Sequence, residues 1–335
     1  MSRDHDAPIE YTAGTDDDGR RLDRVVRRML MTVPLTAVYA AIRTGKVRVN
    51  GRRKRGDARI ATGDVIAIDR RFARDLDRPK PGPRDSVRRP KTRRTAIAPP
   101  DVVFENAHLV VVNKPAGVLT HGDDSLADSV EMYLRDKTRD SLSFRPGPLH
   151  RLDRNTSGIV VFSKSLLGAQ RFTEELGLNL IRKEYIAVLE GAIETATVWT
   201  ERIDRDRTSR VSYAAAEGYD ALTEVFPFAR CSGLTLAGIV IATGRTHQIR
   251  AHAAHHGAPL AGDVKYGGRS HQSGYLLHAV RLVRERYVAA GSEDVIGFTQ
   301  VVAPLSDAAI ARLVRSFGRT TIETVKRRYT GVIPE

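Results

Sequence analysis

A polar loop that runs directly into an apolar strand lies near the middle of the chain. Residues 150–158 read H-R-L-D-R-N-T-S-G, and the proline and glycine residues at 146–148 mark a loop just before them. The next four residues, 159–162, are β-branched or aromatic, which is typical of a buried strand. Asp153 is therefore predicted to lie on a loop fixed by a rigid strand, where a carboxylate can act as a nucleophile or a base. The alternative is a turn aspartate beside two surface arginines.

Length, charge and cysteine content restrict the classes of protein to which the chain can belong. Its 335 residues suffice for two domains with cores of their own, and a formal net charge of +14 indicates a polyanionic partner. A single cysteine, Cys231, excludes an internal disulfide and fits a reducing cytosol. Residues 1–18 contain no signal-peptide core, and no stretch approaches the roughly 20 apolar residues of a membrane helix. We therefore expect a cytoplasmic protein without a membrane partner.

Residues 19–70 have the pattern of a small unit with two helices and a β-hairpin. Apolar residues recur at helical spacing over 22–30 and 35–42, and a short alternating strand leads into an Asn50-Gly51 turn. Seven basic side chains stand close together around this hairpin: Arg43, Lys46, Arg48, Arg52, Arg53, Lys54 and Arg55. We call them the basic patch. Such a patch can bind RNA phosphates, and the alternative is a solvated charged face.

The order of these elements resembles the S-four RNA-binding domain, named after a small-subunit ribosomal protein. The matching segments are 21–23, 42–45, 47–51 and 63–64. The resemblance implies that the basic patch contacts RNA. Residues 1–18 are expected to form a disordered tail. Residues 71–100 are rich in proline and basic residues, and are expected to form a disordered basic linker that either contacts RNA or serves as a spacer.

Separated motifs in residues 101–320 resemble those of the RluA-type pseudouridine synthases. Residues 150–158 match H-R-L-D-x-x-T-S-G at every fixed position, and residues 243–252 match T-G-R-T-H-Q-I-R-x-H equally well. Residues 183–191 match K-x-Y-x-A-x-V-x-G more loosely, and residues 277–279 match L-H-A. Segments this far apart can meet only through a fold. Their joint presence in family order is therefore the strongest indication of function in the sequence.

The resemblance implies an enzyme that converts uridine in RNA to pseudouridine. In this reaction the N1–C1′ bond is cut, the uracil turns, and C5 is joined to C1′, so no cofactor is implied. The family places the catalytic carboxylate at Asp153, its partner at Arg250, the active-site tyrosine at Tyr185 and a water-excluding apolar wall at Leu277. Attack on C1′, attack on C6 and removal of a ribose proton all use the same carboxylate. Without the family context, Tyr185 is equally well an ordinary strand tyrosine.

The same resemblance assigns RNA contacts near this site. A base inside RNA structure must be flipped out, and in the family the arginine of H-R-L-D fills the vacated space, which makes Arg151 the expected wedge. Arg245 and His247, in the second motif, are expected to bind RNA. The whole pattern is most similar to the subgroup that acts on large-subunit ribosomal RNA, especially the type C enzymes. Residues 262–266, G-D-V-K-Y, are closer to the general family and leave the target uridines open.

The implied architecture is α+β. A small αα-β RNA-binding domain over 19–70 and a basic linker over 71–100 precede a catalytic domain over 101–320, in which a mainly antiparallel mixed sheet is flanked by helices. Residues 321–335 are expected to form a C-terminal tail. No phosphate-binding loop or dinucleotide fingerprint is present, so no nucleotide cofactor is expected. The chain is expected to act as a monomer.

Two other classes of function are open at this stage. The first is a non-catalytic RNA-binding translation factor built on an inactive synthase fold. The second is a metal-dependent hydrolase that uses His247, His252 and His256. The i, i+4 spacing of His252 and His256 is a weak metal signal without a surrounding H-E-x-x-H motif, so no metal site is predicted.

Overall fold

The computed structural model describes residues 7–30, 33–70, 72, 98–135, 137, 141–206, 208–285 and 294–330. The chain divides into two units. The first comprises residues 1–96, 134–146 and 164–167, and the second comprises the remaining residues. No helix in the described ranges is long and apolar enough to cross a membrane. The linker predicted over 71–100 lies almost wholly outside the described residues.

The first unit combines a three-stranded antiparallel sheet with two helices. Its elements are β1 (Ile9–Thr12), α1 (Leu22–Met29), α2 (Leu35–Thr44), β2 (Val47–Val49) and β3 (Val65–Ile68). β3 lies between the other two strands. The predicted periodicity is realised, because Leu22, Val25 and Val26 of α1 are buried in one core with Val38 and Ile42 of α2. The two helices therefore form where the sequence predicts them, whereas the Asn50-Gly51 turn closes only a single bridge between Val49 and Arg52, and β2 pairs with the more distant β3.

The start of the chain differs from the expected disordered tail over 1–18. β1 pairs with β3 along its whole length, and Asp17 is fully buried. The Asp17 carboxylate accepts hydrogen bonds from Ser141 Oγ and from the backbone N–H groups of Leu142 and Ser143, at 2.9–3.1 Å. These partners lie 124 to 126 residues away along the chain, so no local pattern reveals that this polar segment is ordered.

The second unit is built on a mixed sheet. Its strands are β4 (Val102–Glu105), β5 (Leu109–Lys114), β6 (Gly147–Pro148), β7 (Ser157–Ser163), β8 (Ile181–Glu190), β9 (Thr197–Trp199), β10 (Ile203–Arg205), β11 (Ser212–Ala214), β12 (Thr223–Cys231), β13 (Leu234–Ile241), β14 (Leu277–Arg284) and β15 (Gln300–Val302). The main sheet runs β4-β5-β7-β14-β8-β13-β12-β9, with β6 beside β7 and β15 beside β14. β10 and β11 form a separate antiparallel hairpin. Among the described pairings only β7–β14 is parallel, as expected for a mainly antiparallel mixed sheet.

The remaining helices are α3 (Leu126–Leu134), α4 (Leu166–Gly177), α5 (Gln248–His255), α6 (Asp307–Phe317) and α7 (Arg319–Thr330). α7 corrects the expectation of a tail over 321–335, as far as residue 330. Ile322, Val325 and Tyr329 recur at helical spacing and are buried in one core with Ile186 of the sheet. These apolar residues have helical spacing in the sequence, but the basic residues among them make the segment look like a polar tail.

A short parallel contact joins β7 to β14 at the centre of the sheet. It consists of the pairs Ser157–His278 and Gly158–Ala279. Gly158 has φ of 108°, and a Cβ there would lie 2.2 Å from the carbonyl oxygen of Ala279, so a side chain cannot be accommodated. His278 Nε2 donates to the carbonyl of Ala303 at 3.0 Å, which leaves Nδ1 to accept the Ser157 hydroxyl at 2.8 Å. Gly158 and Ser157 of the T-S-G motif therefore stabilise the contact between β7 and β14.

Candidate active site

Asp153 lies on the loop between β6 and β7, and the residues on both sides of it are anchored. Thr120 Oγ1 donates to the carbonyl of Leu152 at 2.9 Å and accepts its N–H at 3.2 Å. On the other side, Lys114 Nζ donates to the carbonyl of Arg154 at 3.0 Å. The last residue of β5 and the segment after it therefore fix the backbone on both sides of the candidate catalytic carboxylate.

Lys114 is buried and serves this loop. Its ammonium group donates to the carbonyls of Pro115, Val118 and Arg154 at 2.8–3.0 Å, which uses all three of its donors. Burial lowers the pKa of Lys114 to about 8, although the Asp153 charge opposes the change. Lys114 therefore positions the loop that carries Asp153.

One buried guanidinium binds two carboxylates in the site. Arg250, on α5, donates from Nη1 to Asp153 Oδ2 at 3.1 Å, and from Nε and Nη2 to the two oxygens of Asp263 at 2.6 and 2.8 Å. The rings of Tyr266 and Tyr275 lie 4.5 and 4.9 Å from the guanidinium carbon. Burial disfavours the charged form, but the bond to Asp263 and the neighbouring carboxylates raise the pKa of Arg250 above its ordinary value. The predicted Arg250–Asp153 pair is therefore formed, and Asp263 fixes its plane.

Tyr185 and Leu277 share one face of the sheet. Tyr185 of β8 stands opposite Ala279 of β14, and Leu277 lies two residues before Ala279, so side-chain alternation places both on the same side. Both side chains are buried. Burial, assisted by the Asp153 charge, raises the pKa of Tyr185 above its ordinary value. Tyr185 is therefore a neutral phenol, able to stack on a base or to donate a proton.

His247 lies inside the site, and the sequence predicted that it contacts RNA. Its Nε2 is 3.7 Å from Asp153 Oδ1, and its Nδ1 is 2.7 Å from the hydroxyl of Tyr266. Burial lowers the pKa of His247 below its ordinary value, the Asp153 charge opposes this, and the Arg250 charge adds to it. The imidazole is thus a neutral group between the carboxylate and a tyrosine.

The predicted RNA-contacting arginines of this unit are exposed. Arg151 forms no hydrogen bond or ion pair with any residue that the structure describes, so its guanidinium is free to enter RNA. Arg245 donates from Nε to the carbonyl of Asp220 at 2.9 Å, and its guanidinium lies 5.4 Å from the ring centre of Tyr219. Burial, with a smaller contribution from the Arg245 charge, lowers the pKa of Lys183 to about 8.

The basic patch of the first unit is exposed at all seven positions. Arg55 pairs with Asp57, and Arg48 and Arg53 donate to backbone carbonyls. The other four keep their charged groups without an ion pair among the described residues: Arg43, Lys46, Arg52 and Lys54. The patch therefore presents free cationic groups to solvent, as RNA binding through phosphates requires.

His252 and His256 of the histidine cluster are bound by neighbouring protein groups. No group of three or more metal-binding side chains occurs in the part of the chain that the structure describes. His252 Nε2 donates to the carbonyl of Glu201 at 2.8 Å, and its Nδ1 accepts from Thr223 Oγ1 at 2.9 Å, so neither nitrogen is free. His256 binds the Glu201 carboxylate at 2.9 Å and stacks on Trp199. The arrangement does not favour the hydrolase alternative.

Sequence reasoning missed the residues that orient Arg250. Asp263, Tyr266 and Tyr275 surround the guanidinium, yet they stand 13 to 25 residues after it, the first two at the start and end of a short 3-10 helix over Val264–Tyr266. The signal in the sequence is the G-D-x-x-Y-G pattern at 262–267, which resembles the family but assigns no role to Asp263 or Tyr266. A buried aspartate that follows a glycine is a plausible partner for a buried arginine, but the sequence does not specify the pairing.

Comparison with known proteins agrees with this geometry. The family model for RNA pseudouridylate synthases matches residues 108–255, and the S4 domain model matches residues 20–66. Ribosomal large subunit pseudouridine synthase C of Haemophilus influenzae is 31% identical over 271 residues, covering 77% of this chain and 79% of the relative. The protein of the same name from Escherichia coli is 30% identical over 266 residues, covering 76% and 78%.

A solved structure shows the same fold. Human RNA pseudouridylate synthase domain containing 4 superimposes with a TM-score of 0.53 at 20% identity, and covers 64% of this chain and 92% of that chain. The sequence relatives, the two matched domains and the fold lead to one assignment. The chain belongs to the RNA pseudouridine synthases, the enzymes that isomerise uridine to pseudouridine in RNA, and it carries an S4 RNA-binding domain.

Proposed function

We propose that Asp153 is the catalytic carboxylate of this chain and that its targets are uridines of large-subunit ribosomal RNA. The observation that carries the first part is the buried chain of contacts from Asp263 through Arg250 to Asp153. The bidentate pair with Asp263 orients the guanidinium, which aims its remaining nitrogen at Asp153. The Asp153 side chain keeps 17% of its surface exposed, so a ribose or a base can reach it.

The other residues act on the substrate or on the carboxylate. Arg250 holds Asp153 in one orientation through the bond from Nη1 to Oδ2. Tyr185 supplies a neutral phenol and a ring against the uracil, and Leu277 excludes water from the same face. The N1–C1′ bond breaks, the C5–C1′ bond forms, N1 gains a proton and C5 loses one, so the atoms of uridine are conserved. Attack on C1′, attack on C6 and removal of a ribose proton all require the carboxylate beside the sugar.

RNA is held by groups outside this centre. Arg151, free of protein partners among the described residues, enters the stack where the target base has left. Arg245 and the basic patch contact phosphates. The name shared by the relatives at about 30% identity, ribosomal large subunit pseudouridine synthase C, supports large-subunit ribosomal RNA as the substrate.

We also propose the organisation in which the enzyme works. An RNA-binding domain over 19–70, a basic linker over 71–100 and a catalytic domain from 101 act together as a monomer in the cytoplasm. The reaction needs no redox change and no group donor, so the enzyme uses no nucleotide or other cofactor. Size-exclusion chromatography with light scattering tests the oligomeric state, and a dimer would contradict that part of the proposal.

The decisive experiment maps pseudouridine in ribosomal and transfer RNA from cells that lack this protein. We expect a small set of large-subunit positions to lose the modification. The wild-type chain should restore these positions, and Asp153→Asn at equal expression should not. Changes confined to transfer RNA would show that the proposed substrate is wrong, and restoration by Asp153→Asn would show that the assignment of the carboxylate is wrong.

A further inference from the structure

Tyr266 and Asp153 lie on opposite sides of the His247 ring. The Tyr266 hydroxyl oxygen accepts the backbone N–H of Ser212 at 2.9 Å and lies 2.7 Å from His247 Nδ1, and Asp153 Oδ1 lies on the Nε2 side. The hydroxyl can donate to Nδ1, whereas the carboxylate oxygen can only accept a hydrogen. Both neighbours are satisfied when Nδ1 is the acceptor and the neutral imidazole carries its hydrogen on Nε2.

Both groups remain in the protonation states that this arrangement requires. Burial raises the pKa of the Tyr266 phenol above its ordinary value, so Tyr266 keeps its proton near neutral pH. Burial lowers the pKa of His247, and the charges of Arg250, Lys265 and Arg205 act in the same direction, while Asp153 alone opposes them. The neutral imidazole is thus the dominant form, and its Nε2–H group faces Asp153.

The backbone of His247 supports the same interpretation. His247 precedes the first residue of α5 and has φ of 55° and ψ of 24°, a left-handed conformation that a non-glycine residue adopts at a cost of roughly 1–2 kcal/mol. This conformation places the side chain between Tyr266 and Asp153. Backbone strain of this kind is concentrated at functional sites, so the position of this ring is a requirement of the site.

We propose that His247 is a positioning residue for Asp153, with its Nε2–H group directed at Oδ1 while Arg250 holds Oδ2. The proposal rests on the catalytic role proposed above for Asp153. Two donors on opposite oxygens fix the plane of the carboxylate. The Nε2–Oδ1 distance of 3.7 Å exceeds a hydrogen bond, and catalytic hydrogen bonds are often long in the free enzyme and shorten with substrate bound.

The β10–β11 hairpin is part of this arrangement. Ser212 is the first residue of β11, and its N–H group fixes the Tyr266 hydroxyl that in turn fixes His247. A continuous series of contacts thus leads from the hairpin through Tyr266 and His247 to Asp153. In this proposal His247 acts through Asp153, whereas the sequence predicted that it contacts RNA.

Tyr266→Phe tests the proposal with one atom removed. The variant keeps the ring that stacks on Arg250 but loses the donor to His247 Nδ1, so the hydrogen of the imidazole is no longer confined to Nε2. We expect kcat with saturating RNA to fall roughly 10- to 100-fold, with KM and the Kd for RNA unchanged. Tyr213→Phe removes an exposed hydroxyl from the same hairpin and serves as the matched control with wild-type kcat.

Replacement of His247 separates positioning from RNA binding. His247→Gln keeps an N–H group near the position of Nε2, and should retain more of kcat than His247→Ala. A raised KM or Kd with unchanged kcat in these variants would show that His247 contacts RNA instead. Wild-type kcat in Tyr266→Phe would equally overturn the proposal.

A direct measurement of the tautomer does not depend on activity. Nitrogen NMR of the protein labelled at its histidines, with the His247→Gln variant for assignment, should show a neutral His247 ring protonated at Nε2. In Tyr266→Phe the signal should shift toward a mixture of tautomers. Protonation at Nδ1 in the wild type would overturn this inference, even if Asp153 is catalytic. Full activity of Asp153→Asn would overturn the proposed function and leave the tautomer result standing.

Discussion

At the scale of single residues, the charge of Asp153 can be tested separately from its shape. Asp153→Asn keeps the size of the side chain but loses the charge that faces Arg250, and Asp153→Ala loses both. We expect both variants to form less than a few per cent of the wild-type pseudouridine in single-turnover assays, with the Kd for RNA preserved. Turnover well above that level in either variant would exclude Asp153 as the catalytic group.

Arg250→Lys should impair the enzyme severely although the charge is kept. A lysine ammonium cannot form the bidentate pair with Asp263 and still reach Asp153. We expect a loss of roughly 100-fold in kcat, measured with saturating RNA. Arg281→Lys is the control, because Arg281 donates from Nε and Nη2 to one oxygen of the buried Glu184, away from the Asp153 cluster. Equal losses in the two variants would mean that the effect is one of folding.

His150 should make the folded state sensitive to acid. Its Nε2 accepts the N–H of Val161 at 3.1 Å, and burial, with the Lys183 charge, lowers its pKa from 6.5 to about 4. Between these values the unfolded chain binds a proton that the folded chain does not, so the free energy of unfolding decreases as the pH falls from 6.5 toward 4.

Denaturant titrations at several pH values across this window measure the effect. His150→Gln keeps an acceptor for Val161 without a titrating group, and should show a shallower pH dependence than the wild type. His121→Gln, which replaces an exposed histidine, should follow the wild type. If His150→Gln retains the full wild-type slope, the acid sensitivity arises elsewhere.

The sequence identified Asp153, Tyr185, Arg250 and Leu277 through motif resemblance, and the structure brings the first three into one electrostatic cluster. It did not identify the orientation of the groups. Asp263 holds Arg250, and His247 faces Asp153, because particular segments converge in the fold. Local patterns record the identity of a residue but not its partner across the fold.

At the scale of elements, the contact between β7 and β14 depends on the absence of a side chain at Gly158. In Gly158→Ala the new Cβ would lie 2.2 Å from a backbone oxygen of Ala279, and φ of 108° is unfavourable for alanine. We expect a loss of about 2–4 kcal/mol in the free energy of unfolding. Gly233→Ala, at a hairpin with φ of 76° and open space around it, is the control and should lose about 1 kcal/mol. Equal losses would indicate that φ alone matters.

Helices and strands with clear periodicity were predicted well, and the elements at the edges were not. The apolar spacing in α1 and α2 reports a buried face directly. β1 has a weak pattern, and its order comes from pairing with β3, which stands more than fifty residues later. The helix α7 was not predicted because basic residues stand among its apolar ones. Elements that depend on a distant partner for stability are the ones that a sequence pattern does not show.

At the scale of the whole molecule, the basic patch should contribute RNA affinity without contributing chemistry. The triple variant Arg43→Ala, Arg52→Ala and Lys54→Ala removes three exposed charges. Binding should weaken, and the slope of log K against log salt should decrease by about 0.7–0.9 for each lost phosphate contact. The single-turnover rate at saturating RNA should be preserved, because Asp153 and Arg250 are unchanged.

The matched control removes the same charge from the exposed side of α6 and α7, with alanine at Arg315, Arg319 and Arg327. If the control loses as much affinity and salt dependence, total charge and not the patch determines binding. A slow rate at saturation in the patch variant would mean that the patch also places the target base. Deletion of residues 1–95 is a weaker test, because it removes Asp17 and leaves Leu142 and Ser143 without their acceptor.

The bond between Asp17 and Ser143 also has a consequence for synthesis on the ribosome. The N-terminal unit emerges first, yet its buried carboxylate has to wait for a partner that is 126 residues further along. At translation rates of 5–20 residues per second this delay is about 6 to 25 s. During that interval Asp17 is accessible to water, and the core of the unit lacks the side chain of Leu142. The first unit therefore completes its folding only after its own later segment, residues 134–146, has been synthesised, and residues 97–133 of the second unit are translated before that segment.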